Sequence, residues 1–308
     1  MTRKHFLKTS AAVGLVAPAV WASERKPAPA AIDRVSCTTV SFRHRFAATR
    51  VKNVSVAGPD FQLVDMPAMF VEKLGLRNVE VWSRHFPEPT IAFGEKLRAA
   101  ADKAGARIVN VQQDEPPYEL SNPAVEKRGA GIATIEQWMN IAAACGATSL
   151  RANVGGKPDE PFNLQAATDS FSRLAAHGEK LGVKILVENH GGHSLRTENV
   201  AAIVRAVNSP WCRSLPDFGN VPKGMTLDQR VAFLKKILPF AHLISAKGME
   251  FDADYLHTSY DFAACVRAAE KAGFKGIYSI ELWSPTYLPP DPIRAVRSLR
   301  DLVARAIA

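Results

Sequence analysis

The chain has 308 residues, a 47% hydrophobic composition and a formal net charge of +9. That length is enough for one large domain with its own core, and the positive charge is spread without a Lys/Arg run, which disfavours nucleic-acid binding. Cys37, Cys145, Cys212 and Cys265 lie far apart in apolar segments with no CxxC pair, so buried free thiols are expected rather than a disulfide framework.

Residues 1–22 read as an export signal: basic TRKHFLK, apolar AAVGLVAPAV, then Val20-Trp21-Ala22 at the cleavage site. The apolar stretch is short for a membrane span, so no stable insertion is expected once the signal is removed. The order Thr-Arg-Lys-His-Phe-Leu-Lys resembles a twin-arginine (Tat) signal with Lys4 in place of the second arginine, which implies a periplasmic or secreted protein. Loss of Arg3, Lys4 and Lys8 would leave a net charge of +6. Residues 23–32 read as a Pro/Ala linker without regular structure, and 33–308 as one domain.

Beyond the linker, apolar β-branched runs alternate with amphipathic helical segments. Strands are predicted at 34–42, 78–82, 107–113, 148–154, 184–189, 213–218, 241–247 and 277–283. A helical segment follows each, from PAMFVEKLG after the first to PIRAVRSLRDLVARAI after the last. Several end at a glycine: Gly75, Gly105, Gly146, Gly182 and Gly273. Near-continuously hydrophobic strands suit a parallel sheet covered on both faces. Eight such units predict an α/β fold, a (β/α)8 TIM barrel. A doubly wound dinucleotide-binding sheet is disfavoured, because no G-x-G-x-x-G follows a strand.

In such a barrel the C-terminal strand ends share one mouth. Three acids stand there after apolar runs: Glu188 in KILVENHGG, Asp217 in RSLPDFGN and Glu281 in IYSIELW. Burying a carboxylate beside Ile, Leu and Val is costly unless a metal or a cation offsets it. The period of two puts His190 on the face of Glu188, and Ser245 on that of Lys247, while Arg151 and Asn153 end the fourth strand. Carboxylates with one imidazole suit a divalent ion: Mn2+, Mg2+ or Co2+, with Zn2+ as a further option. The alternative is a metal-free layer of ion pairs with Arg151 and Lys247. Three acids against two cations leave an imbalance, which favours the metal.

Lys247 suits contact with a substrate oxygen or proton transfer, or a plain ion pair. His44 and His85, after the first two strands, are candidate substrate contacts. Trp82, Trp283 and Tyr287 offer aromatic faces to a sugar, with core packing as the alternative. The proline-rich segment 284–292 reads as a pocket wall. No G-x-S-x-G elbow is present, which disfavours a serine hydrolase.

With these residues, 33–305 resembles the xylose isomerase-like TIM barrel superfamily, the sugar phosphate isomerase/epimerase group. The resemblance implies a metal held by Glu, Asp, His and Glu from strands five to eight, with the two glutamates exchanging a proton at a sugar carbon. Glu188, Asp217 and Glu281 match three of those positions, and GFKGIYSIELW is similar to the closing strand. Two motifs depart. His-x-Lys reads Ser245-Ala246-Lys247, and D-x-x-H reads Asp217 to Asn220. His190, water or substrate would then complete the ion's shell. ENHGG, LPDFGN and SAK resemble an exported subset of the superfamily.

The function expected is a metal-dependent carbohydrate isomerase or epimerase in which Glu188, Glu281 or Lys247 removes a proton alpha to a carbonyl. Two alternatives stay open: a lyase or hydratase acting on a keto-sugar or 3-keto-glycoside by β-elimination, and a non-catalytic sugar-binding barrel. The partner is a small carbohydrate, and a homo-oligomer is compatible with it.

Overall fold

The computed structural model describes residues 29–52, 58–284 and 289–308. The export signal, residues 23–28 of the linker, and Tyr287 lie outside the described residues. Eight parallel strands form one sheet: β1 Val35–Thr38, β2 Asn78–Trp82, β3 Arg107–Gln112, β4 Ser149–Ala152, β5 Lys184–Glu188, β6 Cys212–Leu215, β7 Leu243–Gly248 and β8 Ile277–Leu282. Their order is β6-β5-β4-β3-β2-β1-β8-β7, so the first strand sits between β2 and β8. The seam from β6 to β7 is spanned by single parallel bridges, Ser214 to Ala241 and Asp217 to Ser245. This is the predicted TIM barrel, and its seam closes at one of the candidate site acids.

Helices cover the outside: α1 Pro29–Ile32, α2 Met66–Met69, α3 Ile91–Lys103, α4 Val125–Ala144, α5 Leu164–Leu181, α6 Thr197–Val207, α7 Leu227–Lys235, α8 Phe262–Lys271 and α9 Pro292–Ile307. Side-chain oxygens cap their starts, as Thr90, Asn163, Asp261 and Asp291 do for α3, α5, α8 and α9. Thr226 and Gln229 form a capping box at α7. Gly182, at φ 70°, closes α5 in the left-handed conformation expected of a helix stop. α9 buries Ala295, Val296, Leu299 and Val303 at helical spacing, each fully buried Val or Leu contributing about 1.5–3 kcal/mol. Among the described residues no helix is long and apolar enough to cross a membrane. All four cysteines are buried free thiols, as expected.

Two expectations need correction. The first strand stops at Thr38, and Thr39–Arg45 continues as 3-10 turns. Local hydroxyl bonds compete with the ladder there: Thr38 accepts from the Val40 amide, and Ser41 accepts from the Leu282 amide at 3.0 Å. In the linker, Pro29–Ile32 forms one helical turn rather than irregular chain.

Inside the barrel, Leu186, Leu215 and Leu243 pack with Val109 as an apolar floor. Two residues further along their strands the same face carries Glu188, Asp217 and Ser245, and two beyond Ser245 stands Lys247. The floor thus sets the height of the site. Glu80, within β2, is buried beside this layer and accepts from Asn110 Nδ2 at 2.6 Å and Ser279 Oγ at 2.5 Å. Burial pushes its carboxyl up to about 7.

Candidate active site

A cavity of about 790 Å3 opens over the C-terminal strand ends. Lys247, Glu281, His190, Asn220, Arg151 and Asp114 line its polar side, and Trp82, Tyr118 and Trp283 its aromatic side. Lys247 stands at its base, 4% exposed. Its Nζ lies 3.1 Å from Asp217 Oδ2 and 2.9 Å from Glu281 Oε1, and donates to Asn220 Oδ1 at 2.9 Å. The ammonium therefore hydrogen-bonds Asn220 and pairs with both carboxylates. Burial alone would lower the ammonium's pKa, but Asp217 and Glu281 raise it above its ordinary value.

The loop LPDFGN is shaped around that lysine. Asp217 Oδ1 accepts from the backbone amides of Gly219 and Asn220 at 2.7 and 2.8 Å, leaving Oδ2 for Lys247. Burial pushes the Asp217 carboxyl up, yet the Lys247 ammonium and the Ser245 hydroxyl hold it below the usual range. Asn189 pins the loop, accepting from the Asp217 amide at 2.7 Å and donating to the carbonyls of Asp217 and Asn220. ENHGG and LPDFGN therefore act as one unit.

Glu188 is 1% exposed and forms an ion pair with Arg151, Oε2 to Nε at 2.9 Å. Its other oxygen accepts from Asn220 Nδ2 at 3.2 Å. Burial pushes its carboxyl well above the usual range against the pull of Arg151, and Asp217 adds to the rise. Arg151 also reaches Asp114, Nη1 to Oδ1 at 2.5 Å. Asp114 accepts in addition from Asn153 Nδ2 at 2.7 Å and Trp82 Nε1 at 2.6 Å. Burial opposes its charge, but Arg151 holds it well below the carboxylate range. Glu281 Oε2 accepts from Gln112 Nε2 at 3.0 Å, and Gln112 accepts from Thr38 Oγ1 at 2.6 Å.

The structure brings Arg151, Asn153, Lys247, Glu281, Trp283 and His190 to one cavity. Burial, then Arg151, lowers the His190 pKa to about 4, so its half-buried ring is neutral near pH 7. Trp82 and Trp283 meet edge to face at 6.5 Å, and the Arg43 guanidinium covers the Trp283 ring at 4.3 Å. Glu188 and Asp217 sit behind the wall rather than in it.

The two early histidines are placed elsewhere, which corrects their expected role as substrate contacts. The His85 ring lies 2.9 Å from Thr39 Oγ1 and 3.0 Å from Thr49 Oγ1 and stacks on Phe46 at 3.7 Å, away from the lining. His44 is buried in the 3-10 segment and does not line the cavity. Sequence reasoning missed Asp114, Glu80 and Gln112. Asp114 carried one usable signal, an acid just past the apolar run RIVNVQQ.

The donor set does not fit a resident divalent ion. Glu281 and Asp217 already share the ammonium of Lys247, Glu188 is taken by Arg151, and the strand-seven position carries the hydroxyl of Ser245. Among the described residues no three His, Cys, Asp or Glu side chains come together as metal ligands. An ion on the expected set Glu188, Asp217, Glu281 and His190 would compete with Lys247 and Arg151 for these carboxylates, which here form an ion-pair layer. Two backbone amide donors offset part of the charge on Asp217.

Eight strand–helix units with a polar, aromatic-walled cavity at the mouth define a TIM barrel with a candidate site there. The chain belongs to the xylose isomerase-like TIM barrel family, whose model matches residues 69–302. No curated protein matches it. Its fold is shared with an L-ribulose 3-epimerase, TM-score 0.69 at 12% identity, covering 89% of this chain and 94% of the other. A xylose isomerase-like TIM barrel protein from Mycobacterium smegmatis, in complex with magnesium, has a TM-score of 0.64 at 17% identity, covering 91% and 99%. The 3-keto-D-glucoside 4-epimerase of E. coli has a TM-score of 0.63 at 13% identity, covering 87% and 98%.

Proposed function

We propose that the chain is a carbohydrate isomerase or epimerase that moves a proton alpha to a carbonyl. One observation carries this: Lys247 and Glu281, 2.9 Å apart, both face an aromatic-walled cavity in a barrel of the xylose isomerase-like family. A sugar carbonyl oxygen that takes a Lys247 N–H from Glu281 frees that carboxylate to act as base on the adjacent carbon. The C–H electron pair becomes the new C=C bond, and the carbonyl π pair moves onto oxygen, where the ammonium stabilises the enediolate. Return of the proton from Glu281 to the former carbonyl carbon, with the alpha hydroxyl's proton passing to the former carbonyl oxygen, gives an isomer. An epimer needs a second proton donor on the opposite face of the same carbon, a role for His190 or a water in the cavity. His190, neutral, offers one donor and one acceptor to substrate hydroxyls. Trp283 and Trp82 supply apolar faces for the ring.

A divalent-ion version, with Mn2+, Mg2+, Co2+ or Zn2+ on Glu188, Asp217 and Glu281, requires Lys247 to leave, and the paired geometry does not favour it. Export under residues 1–22 belongs to the same proposal. It places the enzyme in the periplasm or outside the cell and favours free or glycosidic sugars over phosphorylated ones.

Elimination is the second reading. One carboxylate beside an ammonium suits expulsion of a β substituent, and the cavity lies in the upper part of the roughly 300–1,000 Å3 range of ligand sites, with room for a glycoside. Incubation of the mature protein with aldoses, ketoses and 3-keto-glycosides, with chromatography of the products, separates these outcomes. A new isomer or epimer, lost in Glu281→Gln, supports the proposal. Aglycone release points to the lyase. Binding without any conversion leaves a sugar-binding barrel and sinks the enzymatic reading.

A further inference from the structure

Resting on the reading of this mouth as one that stabilises a charged sugar oxygen, we infer that the Lys247 ammonium is the barrel's resident cation and that the mature chain works with no divalent ion bound. Three separate features hold the ammonium where the strand-end carboxylates converge.

The first is contact. Nζ sits between Asp217 and Glu281, which come from the seam after β6 and from β8, and it donates to Asn220. Asn220 passes the arrangement on, since its Nδ2 donates to Glu188. The lysine therefore touches, directly or through one amide, all three acids that the sequence marks as ligands.

The second is shape. A Cβ on Gly219 would stand 2.8 Å from Lys247 Cδ and 2.9 Å from its Cγ. The loop approaches so closely that only a glycine leaves a slot for the aliphatic stem. The Tyr260 hydroxyl donates to the Lys247 carbonyl and fixes the strand at that point.

The third is substitution. At Ser245, beside Asp217, the strand carries a neutral hydroxyl, a poor ligand for a divalent ion, where an imidazole would have been a good one. The hydroxyl of Ser245 and the slot cut for the lysine point the same way. A tethered ammonium brings one charge rather than two, with three N–H donors, and a chelator cannot remove it. The proton balance is unchanged: Glu281 takes the C–H proton and the oxygen gains the π pair, then the proton goes to the adjacent carbon while the hydroxyl proton passes between the two oxygens. No oxidant or reductant enters.

The test is elemental mass spectrometry of the mature protein purified without chelator, beside thermal unfolding with Mn2+, Zn2+ or EDTA added. Expected are far less than one equivalent of any divalent metal and a thermal midpoint that neither the ions nor EDTA shifts. The double variant Lys247→Met/Ser245→His, which removes the ammonium and restores an imidazole, should gain a rise in midpoint with Mn2+. One equivalent of metal in the parent, stripped by EDTA with a fall in midpoint, overturns the inference, and that result needs no variant to fold. Sugar conversion is read separately. A metal-bearing barrel that converts sugars sinks the lysine inference alone, whereas a metal-free barrel that converts none sinks the isomerase reading and leaves the resident lysine standing.

Discussion

Replacing Arg151 by methionine keeps most of its volume and removes the charge that spans Asp114 and Glu188. In the parent the guanidinium lies 2.5 Å from one carboxylate and 2.9 Å from the other, with all three side chains almost fully buried or, for Asp114, 16% exposed. Removing one partner of a buried pair leaves an uncompensated charge, a loss of about 3–5 kcal/mol. Asp114 keeps its bonds from Asn153 and Trp82, so the lower end, about 3 kcal/mol, is expected at neutral pH. The pH dependence has a defined sign. In the parent, Asp114 lies below its ordinary 3.8, so its contribution is present above that pH and lost as pH falls. In the variant, burial is opposed only by the weaker bonds from Asn153 and Trp82 and the Asp114 value rises, so a penalty grows as pH increases. The deficit relative to the parent should therefore widen from about pH 5 to about pH 8. Urea unfolding at both pH values measures it. A loss below about 1 kcal/mol, or one that shrinks with rising pH, would refute the ion-pair layer.

Glu80→Gln should remove a pH dependence of the opposite origin. The Glu80 carboxyl is raised from an ordinary 4.5 to about 7, so its stabilising contribution is present below 4.5 and lost as pH rises through 7, about 3 kcal/mol in all. The variant's unfolding free energy should fall less between those limits than the parent's, and equal slopes would contradict it. Gly155→Ala is expected to lose about 3 kcal/mol or to fail to fold, because φ is +85° and its Cβ would lie 1.6 Å from the Tyr118 carbonyl oxygen. A thermal midpoint within a degree or so of the parent would rule that out. Trp283→Ala should weaken carbohydrate binding by roughly threefold to tenfold in calorimetry, in line with about 0.5–1.5 kcal/mol for a stacked aromatic. Unchanged affinity would remove it from the sugar wall.

The barrel was legible because each strand is an apolar run of the right length and each helix carries its own stripe and stop. Glu188, Asp217 and Glu281 were legible because an acid at the end of such a run is expensive to bury. Asp114 was not. It lies in the loop QQDEPP, and its value to the site depends on Arg151, 37 residues away in the chain. Glu80 reads as an ordinary alternating residue in NVEVW until the barrel closes Asn110 and Ser279 around it. The choice between metal and ion pairs turned on a count of charges. That count omitted the amide donors that the Gly219–Asn220 turn aims at Asp217, while Asp114, a fourth acid that it also omitted, adds to the negative charge shared with Arg151. His85 missed the mouth because the chain after Thr38 turns into 3-10 structure and offers Thr39 as a partner inside the wall.

The most direct test of the central claim, proton transfer at a sugar carbon by the Lys247–Glu281 pair, is solvent exchange followed by proton NMR. Parent and Glu281→Gln would be incubated in D2O with ketoses and 3-keto-glycosides that bind. The parent should wash deuterium into the position alpha to the carbonyl, whether or not net product accumulates, and Glu281→Gln should leave that signal intact. If no bound carbonyl sugar exchanges in the parent, or if the glutamine variant exchanges as fast, the pair does not move the proton.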